Sequence, residues 1–181
     1  MAKLFYVIGP SGAGKDSVID KLKQEKKRNL VFAHRYITRS ADAGGENYIE
    51  LSLNEFELRQ SLNLFSMHWQ ANNHSYGVGC ELDSWLEQGV DVVVNGSRGY
   101  LQQALKRYGE NLIPVVIDVS NDVLEKRLRV RGRESDDVIC QRLKRADEFR
   151  AISLPENTLM LDNSGSLTDT VNQFLENMVT T

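Results

Sequence analysis

Leu4-Phe5-Tyr6-Val7-Ile8 runs directly into Gly9-Pro10-Ser11-Gly12-Ala13-Gly14-Lys15, and residues 17–22 follow with Val18, Ile19 and Leu22 on one helical face. This junction decides the fold. A short continuous apolar run is the pattern of a strand buried on both faces of a parallel sheet. The seven residues after it match Gly-x-x-x-x-Gly-Lys. Glycines let the backbone wrap closely, so that successive N–H groups aim at phosphate oxygens, and the start of the next helix adds a favourable dipole. Lys15 supplies a cation for the β- and γ-phosphates. Strand, loop and helix together specify a P-loop, a nucleotide-phosphate site made of Gly9, Pro10, Ser11, Gly12, Ala13, Gly14, Lys15, Asp16 and Ser17. The pattern ordinarily has Ser or Thr after the lysine, where a hydroxyl meets Mg²⁺. Here Asp16 stands there, with Ser17 next. Asp16 reads either as a magnesium ligand, direct or through water, or as an acid favoured by the helix dipole.

Outward from the loop, apolar runs at 30–33, 90–94, 113–119 and 158–161 read as further strands. Helical spacing covers 81–88, 101–108, 122–130, 138–149 and 167–178. Strands alternating with helices predict an α/β protein, a P-loop NTPase three-layer fold around a parallel sheet. Residues 34–76 are irregular, polar and aromatic, an insert with short strands and one helix near 53–62. Residues 131–137 are charged and poor in apolar side chains. With three prolines and no Pro/Gly/Ser linker, the chain reads as one domain. Its expected parts are a core (1–33, 89–130, 147–181), an insert at about 34–88 and a lid at about 131–146.

Composition narrows the function classes. In 181 residues, 25 acidic and 22 basic side chains give a formal charge of −3, which excludes a basic nucleic-acid coat and an acidic tail protein. At 41% hydrophobic and 26% charged, the chain is globular rather than disordered. Cys80 and Cys140 lie outside any Cys-x-x-Cys or Cys/His array, so neither a disulfide framework nor a zinc site is expected. No eighteen-residue apolar stretch is present, and the first segment is too short for a signal peptide. The expectation is a cytoplasmic protein with reduced thiols, small-molecule substrates, no nucleic acid and no membrane. The oligomeric state stays open, a homodimer included.

Arg127, Arg129, Arg131 and Arg133 fall within seven residues around Gly132, and Arg142 and Arg145 follow on the next helical segment. Phosphoryl transfer spreads charge over the equatorial oxygens, and arginine forks stabilise it. Arg131, Arg133 and Arg142 are therefore expected to act with Lys15 in catalysis, with Arg127 and Arg129 as helix surface. In the insert, Arg35, Thr38, Arg39, Tyr48 and Tyr76 are the parts of a phosphate-ester pocket, although tyrosines there serve packing equally well. His34, His68 and His74 are too scattered for a metal site.

Taken in order, the P-loop, Thr38-Arg39, Gly45-Glu46 with Tyr48, Tyr76-Gly77 and Arg131-Gly132-Arg133-Glu134-Ser135 resemble the guanylate kinase family over nearly the whole chain. The resemblance implies a P-loop core, an acceptor-binding insert and a lid, with Mg²⁺ and transfer of the ATP γ-phosphoryl group to a phosphate. It also implies that Arg39, Tyr48 and Tyr76 hold the acceptor phosphate, and that Arg131, Arg133 and Arg142 are lid arginines. The chain departs from the family where guanine is read. Apart from a second arginine, which does not follow Thr38-Arg39 within 40–43, the guanine-reading glutamate upstream of Tyr-Gly is missing from 67–73 and the guanine-reading hydroxyl residue after Tyr-Gly is replaced by Val78. Base recognition depends on paired polar groups, so losing them removes base specificity. Gly14-Lys15-Asp16-Ser17, residues 34–39, Tyr76-Gly77-Val78-Gly79 and Val94-Asn95-Gly96-Ser97-Arg98 resemble one branch of that family. These are the ribose 1,5-bisphosphate phosphokinases of phosphonate degradation. That branch implies ribose 1,5-bisphosphate as acceptor, and a second phosphate explains extra cations such as Arg35 and Arg98. The alternatives are a guanylate or other nucleoside monophosphate kinase and a catalytically inactive protein-binding module. Asn163, near the last strand, is a candidate adenine contact.

Overall fold

The computed structural model of the chain describes residues 1–25, 29–40, 48–132 and 134–180. Arg133 lies outside the described residues, as do 41–47, which include Asp42 and the Gly45-Glu46 pair. The elements follow the order β1 (Leu4–Ile8), α1 (Lys15–Gln24), β2 (Leu30–Ala33), β3 (Arg35–Ile37), β4 (Ile49–Glu50) and α2 (Leu53–Ser61). Then come β5 (Phe65–Ala71), β6 (His74–Gly79), α3 (Glu81–Glu87), β7 (Asp91–Asn95), α4 (Leu101–Tyr108) and β8 (Leu112–Asp118). The chain continues through α5 (Asn121–Arg131), α6 (Asp136–Arg150), β9 (Leu159–Asp162) and α7 (Leu167–Thr180).

Among the described residues the strands form two sheets, with orders β2-β7-β1-β8-β9 and β4-β3-β6-β5. In the first, β2 pairs with β7 in parallel, Leu30 opposite Asp91 through Ala33 opposite Val94. There too β8 pairs with β9 in parallel, Val115 opposite Leu159 through Asp118 opposite Asp162. All five residues of β1 are buried, as are Val92, Val93 and Val94 of β7. Strands this uniformly apolar are what the short runs in the sequence predicted.

The chain forms two compact units, Met1–Tyr6 with Lys26–Ile113 and Val7–Glu25 with Pro114–Thr181. The first unit holds the second sheet. Its centre is the antiparallel pair β5–β6, longer than the short strands expected of the insert. Asn72 and Asn73 turn the chain at φ 49 and 61, left-handed values that Asn tolerates and that two-residue hairpin turns require. Helix α2 opens on a reciprocal cap signal, Ser52-Leu53-Asn54-Glu55, and the Glu55 N–H donates to Ser52 Oγ at 3.2 Å. The Phe56 ring of α2 meets Phe65 at 4.7 Å, Tyr36 of β3 meets Phe65 at 5.7 Å, and Leu51 joins the cluster. In the second unit, α7 packs on α1 and on β9, and α5 packs on α6. Arg129 pairs with Glu125 one turn back on α5 at 2.8 Å and with Asp136 at the start of α6 at 2.5 Å, so it belongs to the helix surface as its sequence suggested. Both cysteines are free thiols. No helix among the described residues is long and apolar enough to cross a membrane.

Gly77 shows how tightly the second sheet is packed. A Cβ there would stand 2.7 Å from two Phe65 ring atoms and 2.9 Å from a third. Overpacking of this kind costs about 1–3 kcal/mol. Gly77→Ala is therefore expected to lower the urea midpoint without changing the slope of the transition. An unchanged midpoint would contradict the close approach of the Phe65 ring to Gly77.

Candidate functional site

The glycine loop in the second unit is shaped by backbone that only glycine adopts readily. Gly12 and Gly14 have φ 97 and 91, values at which a Cβ is strained. Gly9 approaches β8 so closely that a Cβ would sit 2.1 Å from the Ile117 carbonyl oxygen. The Ala13 N–H donates to the Pro10 carbonyl at 3.2 Å, closing the loop on itself. Lys15 Nζ donates to the carbonyls of Gly9 at 2.9 Å and Pro10 at 3.1 Å, which holds the ammonium against its own loop. Helix α1 begins after Gly14, a residue with no side chain to cap it. Its first-turn N–H groups and dipole thus suit an anion. Asp16 lies in that first turn, partly exposed, and Ser17 is exposed beside it. Carboxylate and hydroxyl oxygens are the donors a hard divalent cation takes. Among the described residues no His/Cys/Asp/Glu group of three is arranged for a metal.

A buried polar brace holds this loop. Asn163, 3% exposed, donates from Nδ2 to the Ala13 carbonyl at 2.7 Å. Its Oδ1 accepts from Thr170 Oγ1 at 3.1 Å, and Thr170 is fully buried. Arg127 donates to the Ala13 carbonyl at 3.4 Å and to the Asn163 carbonyl at 2.7 Å. The Asn163 N–H donates in turn to the Asp118 carbonyl at 2.7 Å, at the end of β8. Arg150 pairs with both Asp118 carboxylate oxygens, at 2.7 and 3.0 Å. Two sequence expectations change here. Asn163 points its amide at the loop and Thr170, so it is a brace rather than an adenine contact. Arg127 is half-buried against the loop rather than helix surface. The sequence held one signal for this, a lone amide directly after an apolar strand, which invites a buried partner.

The expected catalytic arginines differ in placement. Arg142 of α6 donates to Ser11 Oγ at 2.6 Å, so α6 reaches the loop. The same guanidinium is ion-paired with Glu134, whose second oxygen is buried without a hydrogen-bond partner among the described residues. Arg131 is exposed on the last turn of α5, which Gly132 ends at φ 62. Arg133 lies outside the described residues.

The expected acceptor residues all lie in the first unit. Arg39 donates from Nε to the Tyr48 hydroxyl at 3.2 Å, its guanidinium lies 4.6 Å from the centre of that ring, and the hydroxyl donates to the Ser40 carbonyl. Thr38 is fixed to β6, accepting from the Ser75 N–H at 2.9 Å through Oγ1 and donating its own N–H to the Ser75 carbonyl at 3.1 Å. Thr38, Arg39 and Ser40 line an open cleft of about 690 Å³ with Gln70, His74 and Ser75. Arg35 lies over the ring of Tyr76 at 5.2 Å. Arg98 opens the helical turn Arg98–Tyr100 that follows β7. That turn is anchored by Tyr6, whose hydroxyl donates to the Ser97 carbonyl at 3.0 Å and accepts from the Ser97 N–H at 2.8 Å. Burial pushes the Tyr6 phenol well above its ordinary pKa, so it stays neutral and keeps both bonds. Met67 and Val78 stand opposite one another on β5 and β6, each fully buried.

The family model for guanylate kinase matches residues 1–180. A relative from Pectobacterium parmentieri, described as ribose 1,5-bisphosphate phosphokinase PhnN, is 49% identical over 174 residues, 96% of this chain and 92% of its own. A protein of the same description from Dickeya zeae is 51% identical over 174 residues, again 96% and 92%. Among solved structures, the guanylate kinase of Anaplasma phagocytophilum superposes with a TM-score of 0.73 at 19% identity, covering 99% of this chain and 85% of its own.

Asn163→Ala is expected to remove the shorter bond to the buried Ala13 carbonyl and to leave it the longer one from Arg127 at 3.4 Å, while Thr170 Oγ1 keeps the Asp162 and Ser166 carbonyls. A buried polar group left wholly unpaired costs about 1–3 kcal/mol, which bounds the loss from above. Thermal unfolding with and without ATP should show a lower transition and a smaller ATP-dependent rise than the parent. An ATP-dependent rise equal to the parent's would separate Asn163 from the loop.

Proposed function

This chain belongs to the guanylate kinase family, and we propose that it phosphorylates ribose 1,5-bisphosphate with ATP, forming 5-phospho-α-D-ribose 1-diphosphate in phosphonate catabolism. The observation that carries this reading is the first unit's pairing of an arginine–tyrosine phosphate site, Arg39 with Tyr48, with apolar Met67 and Val78 where a base would need polar partners. Relatives near 50% identity over most of their length bear the same activity in their descriptions.

In the proposed mechanism, the ATP phosphates lie on Gly9, Pro10, Ser11, Gly12, Ala13, Gly14, Lys15, Asp16 and Ser17, and Lys15 bridges the β- and γ-phosphates. An oxygen of the sugar 1-phosphate bonds to the γ-phosphorus while the bond to the β–γ bridging oxygen breaks, releasing ADP. That attacking oxygen is already anionic near neutral pH, so no general base is required. Arg131, Arg133 and Arg142 neutralise the charge on the transferring group. Arg35, Thr38, Arg39, Tyr48, Tyr76 and Arg98 hold the acceptor. Asp16 and Ser17 are the oxygen donors of this loop suited to Mg²⁺. When bound, the ion offsets repulsion between the phosphate groups. On this reading residues 34–88 form the acceptor-binding part and 131–146 the lid, and free thiols at Cys80 and Cys140 suit the reducing cytoplasm.

ADP release from Mg-ATP, measured with ribose 1,5-bisphosphate, ribose 5-phosphate and GMP in parallel, tests the acceptor. Turnover with the bisphosphate alone is expected; turnover with GMP alone would make the protein a divergent guanylate kinase. Lys15→Ala should reduce turnover at least about 100-fold. Asp16→Ala should move the magnesium dependence to higher concentration. An unmoved magnesium titration would assign Asp16 to the helix terminus instead.

A further inference from the structure

We infer that Arg35, held on the ring of Tyr76, reads the acceptor phosphate that does not react, and that Trp69 is the positioning residue that keeps it there. The inference rests on the sugar-bisphosphate reading above and says how that acceptor is told from others.

Directly opposed residues in a sheet share a face. Arg35 opposes Val78, Ile37 opposes Tyr76, Trp69 opposes Tyr76 and Met67 opposes Val78, so all six side chains lie on one face of β3-β6-β5. On that face the rings of Trp69 and Tyr76 stack with centres 5.7 Å apart and planes 1° apart. Trp69 also meets Tyr100 at 5.6 Å. Tyr76 is 6% exposed, so its ring is locked between strand and neighbours. The Arg35 guanidinium lies 5.2 Å from the centre of that locked ring.

The consequence is a preorganised cation beside an apolar wall. A guanidinium on an aromatic face keeps its planar fork for a phosphate while losing little freedom on binding. Trp69 is engaged by two rings, and Met67 and Val78 expose no surface, so among these six residues the partly exposed ones are Arg35 and Trp69. A phosphate suits the guanidinium at the edge of that face, by charge and by its planar fork. Arg98 sits in the same turn as Tyr100, which brings a second cation's backbone to this wall through the Tyr100–Trp69 contact.

The test compares ribose 1,5-bisphosphate with α-ribose 1-phosphate, which has the reacting phosphate but not the other. The parent should favour the bisphosphate strongly in kcat/KM. Arg35→Met should lower kcat/KM for the bisphosphate by about 10- to 150-fold, the range for a charge-assisted contact, and lower that for ribose 1-phosphate by a much smaller factor. Trp69→Leu should lower the same ratio by less, and Trp69→Phe should restore it, since a purely structural role would reduce both acceptors together. Ribose 1-phosphate turnover serves as the internal control for folding, and Arg35→Gln replaces Arg35→Met if that variant does not fold. An equal loss with both acceptors, or no loss with either, overturns the role of Arg35. A parent that ignores ribose 1,5-bisphosphate overturns the acceptor assignment itself, before any variant is read.

Discussion

The glycine loop of the second unit depends on one carbonyl. Ala13 lies where the loop turns into α1, and its oxygen accepts from the buried Asn163 amide and from Arg127. Around it, Gly12 and Gly14 take left-handed backbone, Gly9 presses against β8, and Lys15 is held by the Gly9 and Pro10 carbonyls. A phosphate loop works because its donors are fixed before the anion arrives. Here the fixing reaches from the loop to the end of β8 and the start of α7, through Asn163, Thr170 and Asp118. Each bond is buried or half-buried, where hydrogen bonds are worth most and vacancies cost most.

On the proposed reading the first unit takes the acceptor, and there the economy is the opposite. Its phosphate-directed groups are polar and held by neighbours, Arg39 on Tyr48 and Thr38 on Ser75. Its base-directed positions have become apolar and buried, with Met67 against Val78 and Trp69 stacked on Tyr76. Recognition of a base needs buried donors and acceptors, because leaving a partner unpaired is what rejects the wrong ligand. A wall of rings and methyls carries no such code. Specificity then has to come from charge, and the arginine on that wall is Arg35.

Much of this was legible in the residues. The buried strand β1, the glycine loop and α1 follow from their pattern, and the alternation of strands and helices foretold the parallel sheet. The hairpin β5–β6 was underestimated because polar and aromatic residues such as His68, Trp69 and Gln70 interrupt its alternation. The signal that defines it is Asn72-Asn73, two residues that accept positive φ. Arg127 and Asn163 were misread for a different reason. Their partners, Ala13 and Thr170, are backbone and hydroxyl groups distant in sequence or hidden in a helix, and no local spacing announces them. Trp69 carries no such signal in the sequence, because an aromatic residue in a strand usually means packing. Its meaning emerges only when Tyr76, Tyr100 and Arg35 are seen around it.

Phosphorus NMR of the reaction mixture tests the central claim most directly, because it reports the bond that forms. With ATP and ribose 1,5-bisphosphate, the account predicts a diphosphate at C1, its two phosphorus atoms coupled, beside an unchanged 5-phosphate monoester and the signals of ADP. A diphosphate at C5, or inorganic phosphate with the bisphosphate left intact, would contradict it.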